Sequence, residues 1–314
     1  MSNVPDLLVA GELFVDLILS GFGSWPQPGQ EAFAKEFRRD VGGGAAITAC
    51  GLAKLGSSCG LMGIVGTDTG EWLVNRLIDN GVDTASVVFD SVEPTAFTVA
   101  VSTPHDRTFL TYPGANRRLQ PLLMEAATAR QLTGIRHVHL ACAPDIEFAA
   151  DLFDGFRAQG CTLSIDVGWH EDWLRNQNAF AALKHVDIFF PNEVEARCMT
   201  GEEDPAQILD AFSAAGLKRV AVKLGSRGAA LLWDGEQLFT GAHPVTPLDT
   251  TGAGDCFDAG FLHAWINRES PETCLRTANI CGAISTEAYG GIAGFPAPGR
   301  LKNELLKGHH ICAR

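Results

Sequence analysis

The stretch Asp249-Thr250-Thr251-Gly252-Ala253-Gly254-Asp255-Cys256-Phe257-Asp258-Ala259-Gly260 brings together residue types that can handle a phosphate. Its first half is rich in Gly and Thr and carries no bulky side chain. From Ala253 onward, Phe257, Phe261, Leu262, Trp265 and Ile266 recur at helical spacing, which places the glycines where a helix begins. The backbone N–H groups of Gly252, Ala253 and Gly254 would then leave the helix start unpaired and point toward any anion placed there. Small residues let a phosphate approach that backbone closely. Asp255 falls in the first turn, beside the positive end of the helix. N–H donors next to a carboxylate suit transfer of a phosphoryl group to a hydroxyl. The donors hold the phosphoryl oxygens, and the carboxylate accepts the hydroxyl proton. The plainer alternative is that Asp255 only complements the helix dipole. The residues of this stretch, taken alone, leave both readings open.

The rest of the chain supplies elements that can position such a site. From residue 121 helices and strands alternate: helix 122–132, strand 137–142, helix 146–159, strand 162–166, helix 179–184 and strand 186–190. Helices near 193–199 and 206–215 and a strand at 219–223 follow. This βαβ series predicts an α/β fold, a mostly parallel central sheet with helices on both faces. Before it, a buried strand at 7–10 precedes 12–19, an apolar run interrupted by Asp16. A strand-like 32–37, a helix opened by Gly42-Gly43-Gly44 and closed by Gly56, a strand at 61–65 and a helix ending at Gly81 come next. The segments 95–103 and 107–112 read as a hairpin turning at Pro104-His105-Asp106. Residues 12–38 and 95–112 are expected to form a small β-sheet lid over the strand ends, where ligands of open α/β sheets bind. Nothing in the sequence marks a linker, so 1–314 reads as one domain.

Composition narrows the function classes. The chain of 314 residues is 46% hydrophobic and 19% charged, enough apolar side chain for a substantial core. A formal net charge of −13 argues against nucleic acid or a membrane surface as partner, and still allows a local basic site for an anionic ligand. Nine cysteines occur without a C-x-x-C pair, which disfavours a zinc or thioredoxin-like site. They are scattered and several lie in apolar runs (Cys142, Cys161, Cys281), as expected of buried thiols in a cytoplasmic protein. Leu7 to Ala10 is too short a run, with Asp6 before it, to be a signal peptide. No stretch approaches the roughly 20 apolar residues of a membrane span.

Asp249 through Gly260 matches the pattern D-T-T-G-A-G-D-x-F-x-x-G, and on this long match the chain resembles the ribokinase-like (PfkB) carbohydrate kinases. The resemblance implies a three-layer ribokinase-like fold and an ATP- and Mg²⁺-dependent kinase acting on a sugar or sugar-like alcohol. It makes Asp255 the catalytic base and Gly252, Ala253 and Gly254 the anion hole. Asn192 and Glu195 resemble the family's N-x-x-E motif, associated with Mg²⁺ and the nucleotide phosphates, with Glu195 acting on the metal indirectly. By spacing alone the same pair is a helix capping box. The run Lys223-Leu224-Gly225-Ser226-Arg227-Gly228 could be a plain hairpin turn. The resemblance instead brings Lys223, Gly225, Ser226 and Gly228 to the nucleotide and sets Asn279 beside the adenine. In related members, residues at the positions of Asp249 and Thr251 also bind a monovalent cation such as K⁺.

On the acceptor side, Asp16 matches an aspartate that hydrogen-bonds sugar hydroxyls, and Gly42-Gly43 with Ala53-Lys54-Leu55-Gly56 resembles the N-terminal signature. Ile47 is a departure, standing where the family usually presents a substrate-contacting Asn. Losing that amide removes a donor and an acceptor, so a less polar acceptor pocket is expected. Arg107 to Asn116 resembles the lid strand and the P-G-A-N after it. Arg107 either meets an anionic substrate or is simply solvated. Trp169 and His170, just past the strand end at Asp166, could line the acceptor pocket. His137 and His139 read as structural, and His309-His310 as a polar tail. A homodimer through the lid is a further expectation. The rival within the class is a nucleoside kinase. A dinucleotide-dependent oxidoreductase lacks a complete G-x-G-x-x-G here, and a non-catalytic sugar-binding protein would not need Asp255.

Overall fold

The structure is a computed structural model that describes residues 5–25, 29–102, 107–129, 132–307 and 311–313. The first half of the chain forms β1 (Leu7–Gly11), β2 (Phe14–Ser20), β3 (Glu36–Gly42), α1 (Gly44–Lys54), β4 (Cys59–Gly66), α2 (Gly70–Asp79), β5 (Asp83–Asp90), β6 (Phe97–Ser102), β7 (Arg107–Tyr112), α3 (Leu119–Thr128), β8 (His137–Ala141) and α4 (Ala149–Arg157). It continues through β9 (Thr162–Asp166), α5 (Glu171–Leu174), α6 (Ala179–Leu183), β10 (Ile188–Phe189), α7 (Glu193–Thr200), α8 (Pro205–Ala214), β11 (Arg219–Lys223), β12 (Ala229–Trp233) and β13 (Glu236–Thr240). The chain ends in α9 (Ala253–Ile266), α10 (Pro271–Ser285), α11 (Pro298–Leu306) and β14 (Ile311–Ala313).

Ten strands form the main sheet in the order β14-β13-β12-β11-β10-β9-β8-β1-β4-β5. From β11 to β5 all neighbours are parallel, and β12, β13 and β14 extend the sheet antiparallel. The carboxyl ends of β1, β8, β9, β10 and β11 therefore lie along one edge. Alternate residues of β1 go to opposite faces, as a strand buried on both sides requires. Leu7 and Val9 join the core built on α1, α9 and α10, whereas Leu8 and Ala10 join the core of α3, α4 and α8. The result is the three-layer α/β arrangement expected. A second sheet, ordered β3-β2-β6-β7, forms the small separate layer. Its strand β3 ends at Gly42 and the chain turns at Gly43 directly into α1, so this small sheet is tied to the start of that helix.

Several boundaries differ from those read in the sequence. The strand placed at 32–37 is Glu36–Gly42, because Asp40 and Gly42 must pair with Asp16 and Phe14. Strand β5 was not anticipated. It pairs only with β4 at the sheet edge, and its largely exposed Asp83–Asp90 lacks the apolar pattern of a buried strand. The strand at 186–190 contracts to Ile188–Phe189, and β13, α5, α11 and β14 add to the expected set. The turn Pro104-His105-Asp106 and the pair His309-His310 lie outside the described residues. No described helix is long and apolar enough to cross a membrane.

Candidate active site

The start of α9 is built by Gly252, which caps the helix in the left-handed region at φ 71°. A Cβ on Gly252 would lie 2.8 Å from Gly291 Cα and 3.0 Å from Ile47 Cδ1, so conformation and space both require glycine. One expectation about the donors is corrected. The Ala253 N–H is taken by the Thr250 carbonyl at 3.2 Å, closing the turn. Those of Gly252 and Gly254 have no hydrogen-bond partner among the described residues. The turn is held from outside by Asp249: its Oδ1 accepts from the Thr251 N–H (3.0 Å) and Oγ1–H (2.7 Å), and its Oδ2 from the Gly290 N–H (3.0 Å).

Asp255 projects from the first turn of α9 toward the first turn of α1. Its Oδ1 is 2.8 Å from where a Cβ on Gly44 would sit, and Thr48 of α1 donates to the Asp255 carbonyl at 3.2 Å. Gly42 packs on the Asp16 carboxylate, and a Cβ on Gly43 (φ 92°) would strike the Glu12 carbonyl. The segment Gly42-Gly43-Gly44 is thus a glycine floor between two carboxylates, Asp16 and Asp255. Ile47, expected on the acceptor side, is 4% exposed and packs beneath Gly252 and Gly291, supporting the turn that opens α9 from the core. Arg107 stands in β7 opposite Ser102, at the end of the β6–β7 pair in the small sheet.

Behind Asp255 lies a charged cluster that no contiguous motif announces. Lys223, the last residue of β11, gives its ammonium to Asp166 Oδ2 at the end of β9 (2.6 Å) and to Asp258 of α9 (3.3 Å). Carboxylate oxygens of Asp166, Asp255 and Asp258 all lie within 4.8 Å of one another. Burial would raise every carboxyl here, but Lys223 and its hydrogen bonds hold Asp166 below the ordinary range. Asp258, 0% exposed, is pushed well up by burial against the pull of the same lysine. Asp255 is raised to about 7, by burial first and then by Asp166, with Lys223 opposing. Glu195, 2% exposed, is also raised to about 7 by burial and by Asp166. It forms the capping box of α7: Asn192 Oδ1 accepts from the Glu195 N–H (2.9 Å), and Glu195 Oε2 accepts from the Asn192 N–H (2.7 Å).

Deeper in the sheet, His137 and His139 share the Ser164 hydroxyl at 2.8 Å each, and burial pushes their imidazoles down to about 4 and about 3. They are neutral core residues.

On the other side of the α9 start, a cavity of about 530 Å³ is lined by Lys223, Gly225, Ser226, Gly228, Gly254 and Asn279, among others. Its size suits a nucleotide-sized ligand. Gly225 and Gly228 adopt φ 57° and 98°, and Asn279 donates through Nδ2 to the Gly241 carbonyl at 2.8 Å, which fixes it as part of the wall. Sequence reasoning thus named one end of each interaction. It missed Asp166, Asp258 and Gly44, whose only signal was their place at a strand end, one helical turn past Asp255 and one residue past Gly43.

Residues 5–298 match the pfkB family of carbohydrate kinases. A Bacillus subtilis (strain 168) protein named 2-dehydro-3-deoxygluconokinase is 28% identical over 285 residues, covering 86% of this chain and 87% of the relative. An ATP-dependent ribose-1-phosphate kinase of Halopiger xanaduensis is 31% identical over 268 residues, 84% of this chain and 86% of its own. Arabidopsis thaliana ribokinase, solved with ribose and ATP, superposes with a TM-score of 0.82 at 27% identity, over 97% of this chain and 99% of that one. The chain belongs to the pfkB carbohydrate kinase family. It is accordingly a kinase whose phosphoryl acceptor is a hydroxyl group on a sugar or sugar-like compound.

Proposed function

We propose that the γ-phosphoryl group of ATP passes to the acceptor hydroxyl at Asp255, which takes the hydroxyl proton. The observation that carries this reading is the position of the Asp255 carboxylate. It lies between the glycine floor at the start of α1 and the free N–H groups at the start of α9, with the nucleotide-sized cavity on the far side. An affinity for protons near neutrality suits a general base, since it is then both available and basic at working pH.

The nucleotide occupies the cavity walled by Lys223, Gly225, Ser226, Gly228 and Asn279, with its terminal phosphates at the Gly252 and Gly254 N–H groups. Developing negative charge on the phosphoryl oxygens meets these donors, which are already oriented. A Cβ on Gly254 would be 3.5 Å from Lys223 Nζ, so the ammonium lies just behind the anion hole, held there by Asp166 and Asp258. Asp16, Gly42 and Gly43 bind the acceptor hydroxyls, and the β3-β2-β6-β7 sheet excludes water above them. Carboxyl groups outnumber Lys223 at this centre, an oxygen-rich donor set of the kind that fits Mg²⁺. Glu195, through water, is the residue that would hold it. When bound, Mg²⁺ supplies charge neutralisation to the phosphates.

Three finer points belong to the same reading. Asp249 and Thr251 serve a monovalent cation, with the loop at Gly290 as its other side, and removing K⁺ should then lower the rate. The exposed Phe37, Phe109 and Leu110 on the lid support a homodimer formed there. The free thiols, buried in most cases, suit a reducing cytoplasm. The decisive test is ATP consumption over a panel of sugars, sugar acids and nucleosides. Acceptor-dependent ADP formation is expected, and its absence with every acceptor, in protein that binds ATP, would contradict the proposal.

A further inference from the structure

Beside the base, the turns that follow β8 and β9 enclose a second cavity of about 560 Å³ that phosphoryl transfer does not use. One wall is 143–146 and the other runs from Trp169 to Asn176. Both walls spring from the neighbourhood of Asp255. Ala141, which ends β8, has its Cβ 3.6 Å from the point where a Cβ on Gly44 would sit, and Asp255 Oδ1 is 2.8 Å from that point. Asp166, which ends β9, is tied through Lys223 to Asp258 on the same helix as Asp255. His170 acts electrostatically on Glu12, just past the end of β1, which brings this wall close to the strand leading into the lid.

The lining has a definite chemical character. Trp169 is 55% exposed although it borders a concavity, so its indole face is free to stack. Trp173 is buried and donates from Nε1 to the Pro144 carbonyl at 3.0 Å, which locks the two walls together. The acidic side chains among the lining residues are Asp145, Glu171 and Asp172, and among the described residues neither Lys nor Arg lines the cavity. Arg175 engages Glu171 at 2.8 Å from outside, which leaves Asp145 and Asp172 to set the sign. A flat apolar face ringed by acceptors favours a ring that carries hydrogen-bond donors. Three carboxylates stand here against one imidazole, that of His170, so a carboxylate placed here would face mostly like charge.

We propose that this cavity is the distal half of the acceptor site. It takes an uncharged or cationic ring joined to the sugar that is phosphorylated, so the acceptor is of glycoside or nucleoside type and is not a sugar acid. The inference rests on the kinase reading above and adds the class of acceptor to it.

Adenosine, ribose and 2-dehydro-3-deoxygluconate, each supplied with Mg·ATP, test it. The wild-type protein should use adenosine with a kcat/KM about tenfold or more above the other two, and Trp169→Ala should remove most of that advantage through KM. Trp169→Phe is the milder variant should the alanine protein fail to fold; it should lower the quenching of tryptophan emission by adenosine without ATP. Asp145→Lys should shift the preference toward the sugar acid by about tenfold. Preference of the wild type for ribose or the acid, or an equal effect of Trp169→Ala on all three acceptors, would overturn the inference. Turnover with none of the three, in protein that binds ATP, also overturns it and leaves the kinase reading to the wider acceptor panel.

Discussion

Gly44 and Asp255 meet across two helix starts: Asp255 Oδ1 sits 2.8 Å from the point a Gly44 Cβ would occupy. The Asp255 carboxylate is therefore positioned by the absence of a side chain 211 residues earlier, on a helix whose Thr48 also holds the Asp255 backbone. Gly44→Ala should push the carboxylate off its place while leaving the nucleotide cavity intact. Misplacing a reacting group by about 1 Å costs on the order of 10²-fold in rate. The expected outcome is a kcat/KM loss of about that size with ATP affinity, measured by calorimetry, within about twofold of wild type. Normal turnover would mean the two helix starts do not jointly set the base.

The charged cluster gives a pH signature. As the proposed base, Asp255 would have to be deprotonated to act, and its carboxyl is raised to about 7, so kcat/KM should climb with pH and level off above neutrality. Asp166 pushes this affinity up and Lys223 pulls it down. Asp166→Asn should therefore move the midpoint to lower pH, and Lys223→Met should move it higher. A pH–rate profile of the three proteins checks both directions. Midpoints that stay together would separate the cluster from the base.

The same shift makes a stability prediction with a fixed sign. The folded protein holds the Asp255 proton more tightly than the unfolded chain does, with about 7 in place of 3.8. The stabilising contribution is complete below the unfolded value and is lost as pH rises through the folded one. Asp255→Asn has no charge to bury, so its Tm should exceed that of the wild type at pH 8, with the gap closing toward pH 5. At roughly 2–4 °C per kcal/mol for a chain of this order, a difference of a few degrees is expected in scanning calorimetry. A gap that widens toward acid would contradict the assignment.

Glu195 tests whether a cap can also serve a metal. The capping box is formed, and Gln also serves at this position, so Glu195→Gln should alter Tm little. Buried at 2% exposure beside Asp166, the carboxylate nonetheless has charge that the amide lacks. The Mg²⁺ concentration for half-maximal rate should rise in Glu195→Gln, and an unchanged value would leave the residue as a cap alone.

The site was legible in the sequence where it is contiguous. Asp249 to Gly260 could be read because turn, helix start and carboxylate follow one another within twelve residues, each with its own local signal. The capping box at Asn192 and Glu195 was legible for the same reason. Asp166, Lys223 and Asp258 were not legible as a group, because β9, β11 and α9 bring them together only once the sheet order is known. The packing of Ile47 under Gly252 and Gly291 was not legible either, since it depends on how α1 meets the start of α9. The parallel series from β8 to β11 was visible from its buried apolar runs. The edge strand β5 was not, since one paired side and a solvated surface demand little of its sequence.

The most direct test of the central claim is the rate of the chemical step in Asp255→Asn, measured in a single turnover with ATP and acceptor bound. General base catalysis is typically worth 10²–10⁴-fold. A fall of that order, with ATP affinity retained and the fold intact by calorimetry, is the predicted result. A rate close to wild type would contradict the role of Asp255 as the base.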